Sequence, residues 1–123
     1  MSWLRRRTRT GASATGDPTS VRGVHYTEHV ERIKDLKRAQ RPDKAIALLL
    51  ECLDATEAEA DIKGGGVAPW YYEQLAILYR KDKRLSDEID ILERYERQSK
   101  AAGVGPAKLA ARLVKARELS GKN

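Results

Sequence analysis

The chain has 123 residues, 34% of them charged and 41% apolar, with a formal net charge of +6. That length accommodates one compact domain and no more. Its single cysteine, Cys52, excludes an intramolecular disulfide and fits a reducing compartment, hence an expected cytoplasmic location, and no apolar run approaches the roughly 18 residues a membrane span needs.

The charge is unevenly placed. Residues 1–22 hold five Arg against one Asp, whereas the remainder holds 19 bases against 17 acids. Glu51 to Asp61 carries five acids and no base, and Lys100 to Lys122 carries six bases and one acid. The body is therefore dipolar rather than uniformly basic. Residues 1–24, rich in Arg, Thr, Ser and Gly, lack apolar periodicity and are expected to be a disordered tail. Arg5, Arg6, Arg7 and Arg9 are not followed by the apolar stretch of an export signal. They are either solvated or an arm for phosphate or an acidic protein surface.

A first helix is expected over Thr27–Gln40, with Tyr26, Val30, Ile33 and Leu36 at helical spacing. Pro42 ends it, because the residue before a proline is pushed out of the α region. Asp43 is the expected cap of a second helix over Lys44–Asp61. That helix is apolar on two faces: Ile46, Leu49, Leu50 and Leu53 on one, and Ala45, Leu48, Cys52 and Ala55 on the other. Two-sided apolarity implies packing on both sides. Within it Cys52 reads as a small buried hydrophobe, and beyond Thr56 the pattern fades into a solvated end.

Gly64-Gly65-Gly66 makes the next loop, and lacks the Lys and Ser/Thr of a phosphate-binding loop. Pro69 suits the first turn of a third helix carrying Tyr72, Leu75, Ala76 and Tyr79 on one face. Lys83-Arg84-Leu85 turns the chain. Ser86 is the expected cap of a fourth helix, with Ile89, Leu92 and Tyr95 inward. Gly103 and Gly105 close it. Pro106 opens a fifth helix, with Leu109, Leu113 and Ala116 inward and Lys108, Arg112, Lys115 and Arg117 largely outward.

An internal repeat runs through this series. Ile33, Leu36, Ile46, Leu48 and Leu49 recur 43 residues later as Ala76, Tyr79, Ile89, Ile91 and Leu92, and Asp43 recurs as Ser86. Repeated helix–turn–helix units are the mark of an α-solenoid, in which stacking shelters apolar faces that no unit buries alone.

From Pro69 the residues resemble the tetratricopeptide repeat. Tyr72, Leu75, Ala76, Tyr79 and Leu92 match that unit's positions 4, 7, 8, 11 and 24. Glu88 departs from it, a charged residue where the family places a small one. The unit from Tyr26 matches more loosely, through Leu36, Ala45, Leu49 and Cys52. Leu75, Ala76 and Tyr79 recur in the fifth helix as Leu109, Ala110 and Leu113. The resemblance implies an all-α fold of two hairpins plus a capping helix over residues 25–120. It also implies a concave wall formed by the first helix of each unit. Val30, Lys34, Lys37 and Arg38 would line it in the first unit, Glu73, Ile77, Arg80 and Lys81 in the second, and Lys115 in the fifth helix. The run Trp70 to Lys81 is also similar to helical segments that follow HIRAN or exonuclease domains in some bacterial proteins, which implies a DNA-repair context without an activity.

Little else points to chemistry. His25-Tyr26-Thr27-Glu28-His29 matches the H-x-x-E-H zinc-protease pattern, in which two His four apart share a helix face. It straddles the expected helix start, and no third His exists, so surface histidines are expected. No Ser–His–Asp arrangement is suggested, so neither an enzyme nor a cofactor is expected. The expected function is a protein-interaction module that offers a basic groove to an acidic or amphipathic peptide. Trp70 adds an aromatic hot-spot candidate. Two alternatives follow from the same residues: a nucleic-acid accessory module using the arginine tail and the fifth helix, and self-assembly through apolar end faces.

Overall fold

The structure, a computed structural model, describes residues 16–98 and 105–121. The fold is all-α apart from one short hairpin, and the chain divides into two compact units, Met1–Lys63 and Gly64–Asn123.

The first unit opens on a turn that the sequence does not announce. The Asp17 carboxylate accepts from the Thr19 backbone N–H at 2.9 Å and from the Thr19 hydroxyl at 2.7 Å. Such local bonds favour a turn over a helix. A two-stranded antiparallel ribbon follows, β1 (Ser20–Val21) with β2 (Val24–His25), in the register Ser20↔His25 and Val21↔Val24. Its loop residues Arg22 and Gly23 have φ of 51° and 95°. Two left-handed residues in a two-residue loop match the twist of the flanking strands. Residues 16–24, expected within the disordered tail, are folded: Val21 is buried, and Arg22 reaches Glu51 through a two-pronged pair at 3.2 and 2.8 Å. Residues 1–15, with Arg5, Arg6, Arg7 and Arg9, lie outside the described residues.

The expected first helix is split. Tyr26–His29 is a 3₁₀ turn, and α1 spans Val30–Arg38. His25 caps the turn by accepting from Thr27 N–H. Ile33 is fully buried, whereas Leu36 is only half-buried. The second helix, α2 (Pro42–Lys63), starts two residues earlier than expected. Pro42 stands at its first position, where a missing N–H costs nothing, and Asp43 is an acid of the first turn rather than a cap. Both apolar stripes are buried except at half-buried Leu50: Ile46, Leu49 and Leu53 on one side, Ala45, Leu48, Cys52 and Ala55 on the other. Gly64, with φ of 77°, follows the last helical residue, a place where a left-handed residue ends helices.

The second unit is a three-helix arrangement of α3 (Pro69–Lys81), α4 (Leu85–Glu96) and α5 (Gly105–Gly121). Its core is built from Tyr72, Leu75, Ala76 and Tyr79 of α3, Ile91, Leu92 and Tyr95 of α4, and Leu109, Leu113 and Ala116 of α5. The Tyr72 and Tyr95 rings meet at 5.0 Å in a tilted arrangement, a favoured aromatic geometry. Ile89, expected inward, is only half-buried, because Ile91 and Leu92 take the inner face. Ser86 does not cap α4. The helix starts at Leu85 with Arg84 in the cap position and no side-chain cap bond, and Asp87 and Glu88 fill the first turn.

The two helix–turn–helix corners are the same object. In the first, Gln40 is left-handed (φ 57°), Gln40 N–H donates to Lys37 C=O, and Arg41 N–H donates to Leu36 C=O. In the second, Lys83 is left-handed (φ 59°), Lys83 N–H donates to Arg80 C=O, and Arg84 N–H donates to Tyr79 C=O. This is the paired bonding of a Schellman helix end, with a non-glycine residue in the left-handed place. The next helix then starts identically, Ala45 N–H to Arg41 C=O and Glu88 N–H to Arg84 C=O. Each partner is displaced by 43 residues, the offset of the apolar repeat.

Candidate functional site

Helix α3 is buried on one side and open on the other. Tyr71, Tyr72, Leu75, Ala76, Leu78 and Tyr79 are buried, while Trp70, Glu73, Gln74, Ile77 and Arg80 are half-buried and Lys81 is exposed. At 100° per residue these last six form one stripe. It offers two apolar side chains two turns apart, with polar and charged groups between and beyond them. Trp70 stands edge-on to Tyr71, with centroids 5.1 Å apart. A ring fixed in this way, and still reaching solvent, has little freedom to lose on contact with a partner.

Beside that stripe lies a charged cluster that the sequence does not reveal. Glu88 is completely buried, and two arginines clasp it. Arg80 Nε donates to Oε1 at 2.8 Å, and Arg112 Nε lies 3.1 Å from Oε2. Arg80 also donates from Nη2 to the Arg112 carbonyl at 3.3 Å, which ties α3 to α5. The two pairs differ in kind. Arg80–Glu88 is an aligned hydrogen bond. Glu88 Oε2 and Arg112 Nε, by contrast, lack an aligned hydrogen-bond partner, so that pair is held by charge rather than direction. A buried carboxylate without its cations would cost several kcal/mol, by order of magnitude. The two guanidiniums are therefore a condition for Glu88 occupying this place.

This cluster corrects two expectations. Arg80, expected as a groove cation, is engaged by Glu88, and Arg112, expected largely outward, turns its Nε edge inward to the same carboxylate. The arginine side chains are 27% and 24% exposed, each with one edge turned to Glu88. Two other bases of α5 stay at the surface but meet acids: Lys108 pairs with Glu73 at 3.0 Å and Arg117 with Glu93 at 2.9 Å. Lys115 is exposed and unpaired among the described residues, as are Lys81 and Lys83. The basic appearance of the fifth helix in the sequence is thus largely neutralised within its own unit.

In the first unit, Val30 and Lys37 are half-buried, and Lys34 and Arg38 are exposed on α1. Lys34 is 3.5 Å from Glu31, and Arg38 pairs with Asp35, each one helical turn away. Exposed pairs of this sort contribute well under about 1 kcal/mol, so they leave both cations available to a partner.

The histidines are joined to the frame rather than to one another. His29 is buried and its Nε2 donates to the Val21 carbonyl at 2.7 Å. His25 accepts from Thr27 N–H on Nδ1 and presents Nε2 to Glu59 at 2.9 Å. Glu59 also accepts from the Tyr26 hydroxyl at 2.7 Å. The Tyr26 hydroxyl and the His25 ring together hold the Glu59 carboxyl below its ordinary value, and burial pushes the Tyr26 hydroxyl up. The supposed zinc pattern is a clamp between the N-terminal ribbon and the far end of α2, so that end is not simply solvated. Among the described residues no group of three or more His, Cys, Asp or Glu is placed to hold a metal. No described helix is long and apolar enough to cross a membrane. Cys52 is fully buried, and burial pushes its thiol up to about 12.

Sequence spacing marked Trp70, Ile77 and Lys81 but could not find the Glu88 cluster. Its one trace was Glu88 itself, a charge where the repeat places a small residue. No family model matches the chain, and no curated protein or solved structure matches it.

Proposed function

We propose that this chain is a non-enzymatic interaction module in the manner of a tetratricopeptide repeat, and that it binds an acidic or amphipathic peptide segment. The observation that carries this is the open stripe of α3, where Trp70 and Ile77 are both half-buried and Lys81 is exposed and unpaired among the described residues. A partner that inserts apolar side chains against Trp70 and Ile77 gains desolvation energy, and its acids meet Lys81. Val30, Lys34, Lys37 and Arg38 on α1 offer the same mixture in the first unit. Nucleic-acid binding draws less support, because Lys108 and Arg117 of the fifth helix already have carboxylate partners.

The test is capture of partners from the native host on immobilised full-length chain. The comparison baits are Trp70→Ala with Ile77→Ser, and Lys34→Glu with Lys81→Glu. Partners should be lost from the first variant and weakened on the second. Identical partner sets on all baits would remove the assignment. Binding that collapses by orders of magnitude between low and moderate salt would point to phosphate contacts instead.

A further inference from the structure

We infer that Arg80 and Arg112 form a preorganised oxyanion receptor, which takes a side-chain carboxylate of the acidic peptide; this rests on the function proposed above. Glu88 is fully buried and uses up only the inner edges of the two guanidiniums. Arg80 Nη2 is spent on the Arg112 carbonyl. Arg80 Nη1 and both terminal nitrogens of Arg112 have no partner among the described residues, and none of them is a buried unsatisfied atom. They therefore reach solvent.

One carboxylate facing two guanidiniums leaves the cluster with a net positive charge. Lys81, next to Arg80 in sequence, and Lys115, one turn after Arg112, add two more cations unpaired among the described residues, and the acid of the same stripe, Glu73, is already paired with Lys108. Glu88 behind the pair holds Arg80 by an aligned hydrogen bond and draws Arg112 in by charge. Their rotamer freedom is thus lost on folding rather than on binding. Planar donors already fixed suit a planar carboxylate, and charge-assisted bonds to it are stronger than neutral ones. Ile77, one turn before Arg80 on the same stripe, supplies the apolar neighbour that an amphipathic segment would contact.

The experiment uses the full chain labelled with ¹⁵N and follows the arginine Nε–Hε signals by NMR. The added probes are a synthetic hexaglutamate peptide and, separately, inorganic phosphate. With hexaglutamate, the Arg80 and Arg112 signals should move together and saturate. Arg112→Lys keeps the charge and loses the fork, and should weaken binding about tenfold. Arg41→Gln, which removes one exposed charge that is no part of the cluster, should leave affinity within about twofold, since exposed charges are screened by salt. The wild-type signals give the answer even if Arg112→Lys fails to fold. Hexaglutamate binding that moves other signals but leaves these two still would overturn the receptor and spare the module. Absence of any hexaglutamate binding would remove both. Movement with phosphate alone would overturn the peptide assignment, and equal weakening by Arg41→Gln would reduce the effect to net charge.

Discussion

Ala45 and Glu88 occupy the same place in two equivalent corners, 43 residues apart, and both side chains are completely buried. Each follows a left-handed residue by five positions, and each donates its N–H to an arginine carbonyl four residues back. One is the smallest apolar side chain with a Cβ, and the other is a carboxylate. The backbone of the corner is therefore indifferent to the side chain. What admits the charge in the second unit is the pair Arg80 and Arg112, the latter supplied by α5.

Exchanging the two residues should be costly in both directions, for different reasons. Glu88→Ala leaves two partly exposed guanidiniums without their counter-charge and should lower stability by about 2–4 kcal/mol. Ala45→Glu forces a carboxylate into a closed apolar site with no guanidinium assigned to it, and should cost at least as much, about 3 kcal/mol or more. Combining Glu88→Ala with Arg80→Met and Arg112→Leu should recover most of the loss, because apolar replacement of a whole buried ion cluster is often neutral. Urea unfolding followed by circular dichroism measures all three. A Glu88→Ala variant as stable as wild type would show that the cluster contributes nothing.

The corners themselves carry a second prediction. Gln40 and Lys83 hold φ of 57° and 59°, where a side chain crowds its own backbone. Gln40→Gly and Lys83→Gly should each stabilise the chain by about 0.5–1 kcal/mol, after allowing for the freedom glycine adds to the unfolded state. The two gains should be alike, because the hydrogen bonds around them are alike, and they should add in the double variant. A gain at one corner only would show that the corners are not energetically equivalent.

How much of this was legible in the sequence depended on the range of the interaction. Helix identities, the starts near Pro69 and Pro106 and the 43-residue offset follow from local periodicity and backbone chemistry, and reappear in the structure. Ser86 and Asp43 were misplaced as caps because, at each corner, the Schellman bonds end one helix and lead straight into the next, with Leu85 and Pro42 opening it. The ribbon at Ser20–His25 was missed because two-residue strands carry no alternation to detect. The Glu88 cluster joins side chains 8 and 24 positions from Glu88, from three helices. No spacing rule links them. In the sequence Arg112 reads as outward because a charged side chain normally faces water, whereas in the fold a buried acid draws its Nε edge inward.

Cys52 offers a probe of the first unit. Its thiol is fully buried, and burial pushes it up to about 12. Near neutral pH almost none is thiolate, the form that attacks disulfide reagents. In native buffer the full chain should release less than about one tenth of the colour expected from a thiol reagent within an hour, and all of it at once in concentrated urea. The reaction rate should follow local opening of α2, and should rise with variants that loosen α2 packing, such as Leu49→Ala. Prompt reaction of the native chain would contradict the burial described.

Acid should act first at the far end of α2. The Tyr26 hydroxyl and the His25 ring hold the Glu59 carboxyl below its ordinary 4.5. A group depressed in the folded state takes up its proton more readily when unfolded. Its stabilising contribution is therefore complete above about pH 4.5 and is lost as pH falls through the folded value. Glu59→Gln keeps the shape and removes that titration. The variant should be less stable than wild type at pH 7, and the gap should close below pH 4.5 as the wild-type carboxyl is neutralised. Asp17, also held low by the Thr19 hydroxyl and N–H, is exposed and present in both chains, so it should leave the difference between them unchanged. Parallel thermal melts of both proteins across this range decide the matter: a gap that persists at low pH would mean that Glu59 acts through packing and not through its charge.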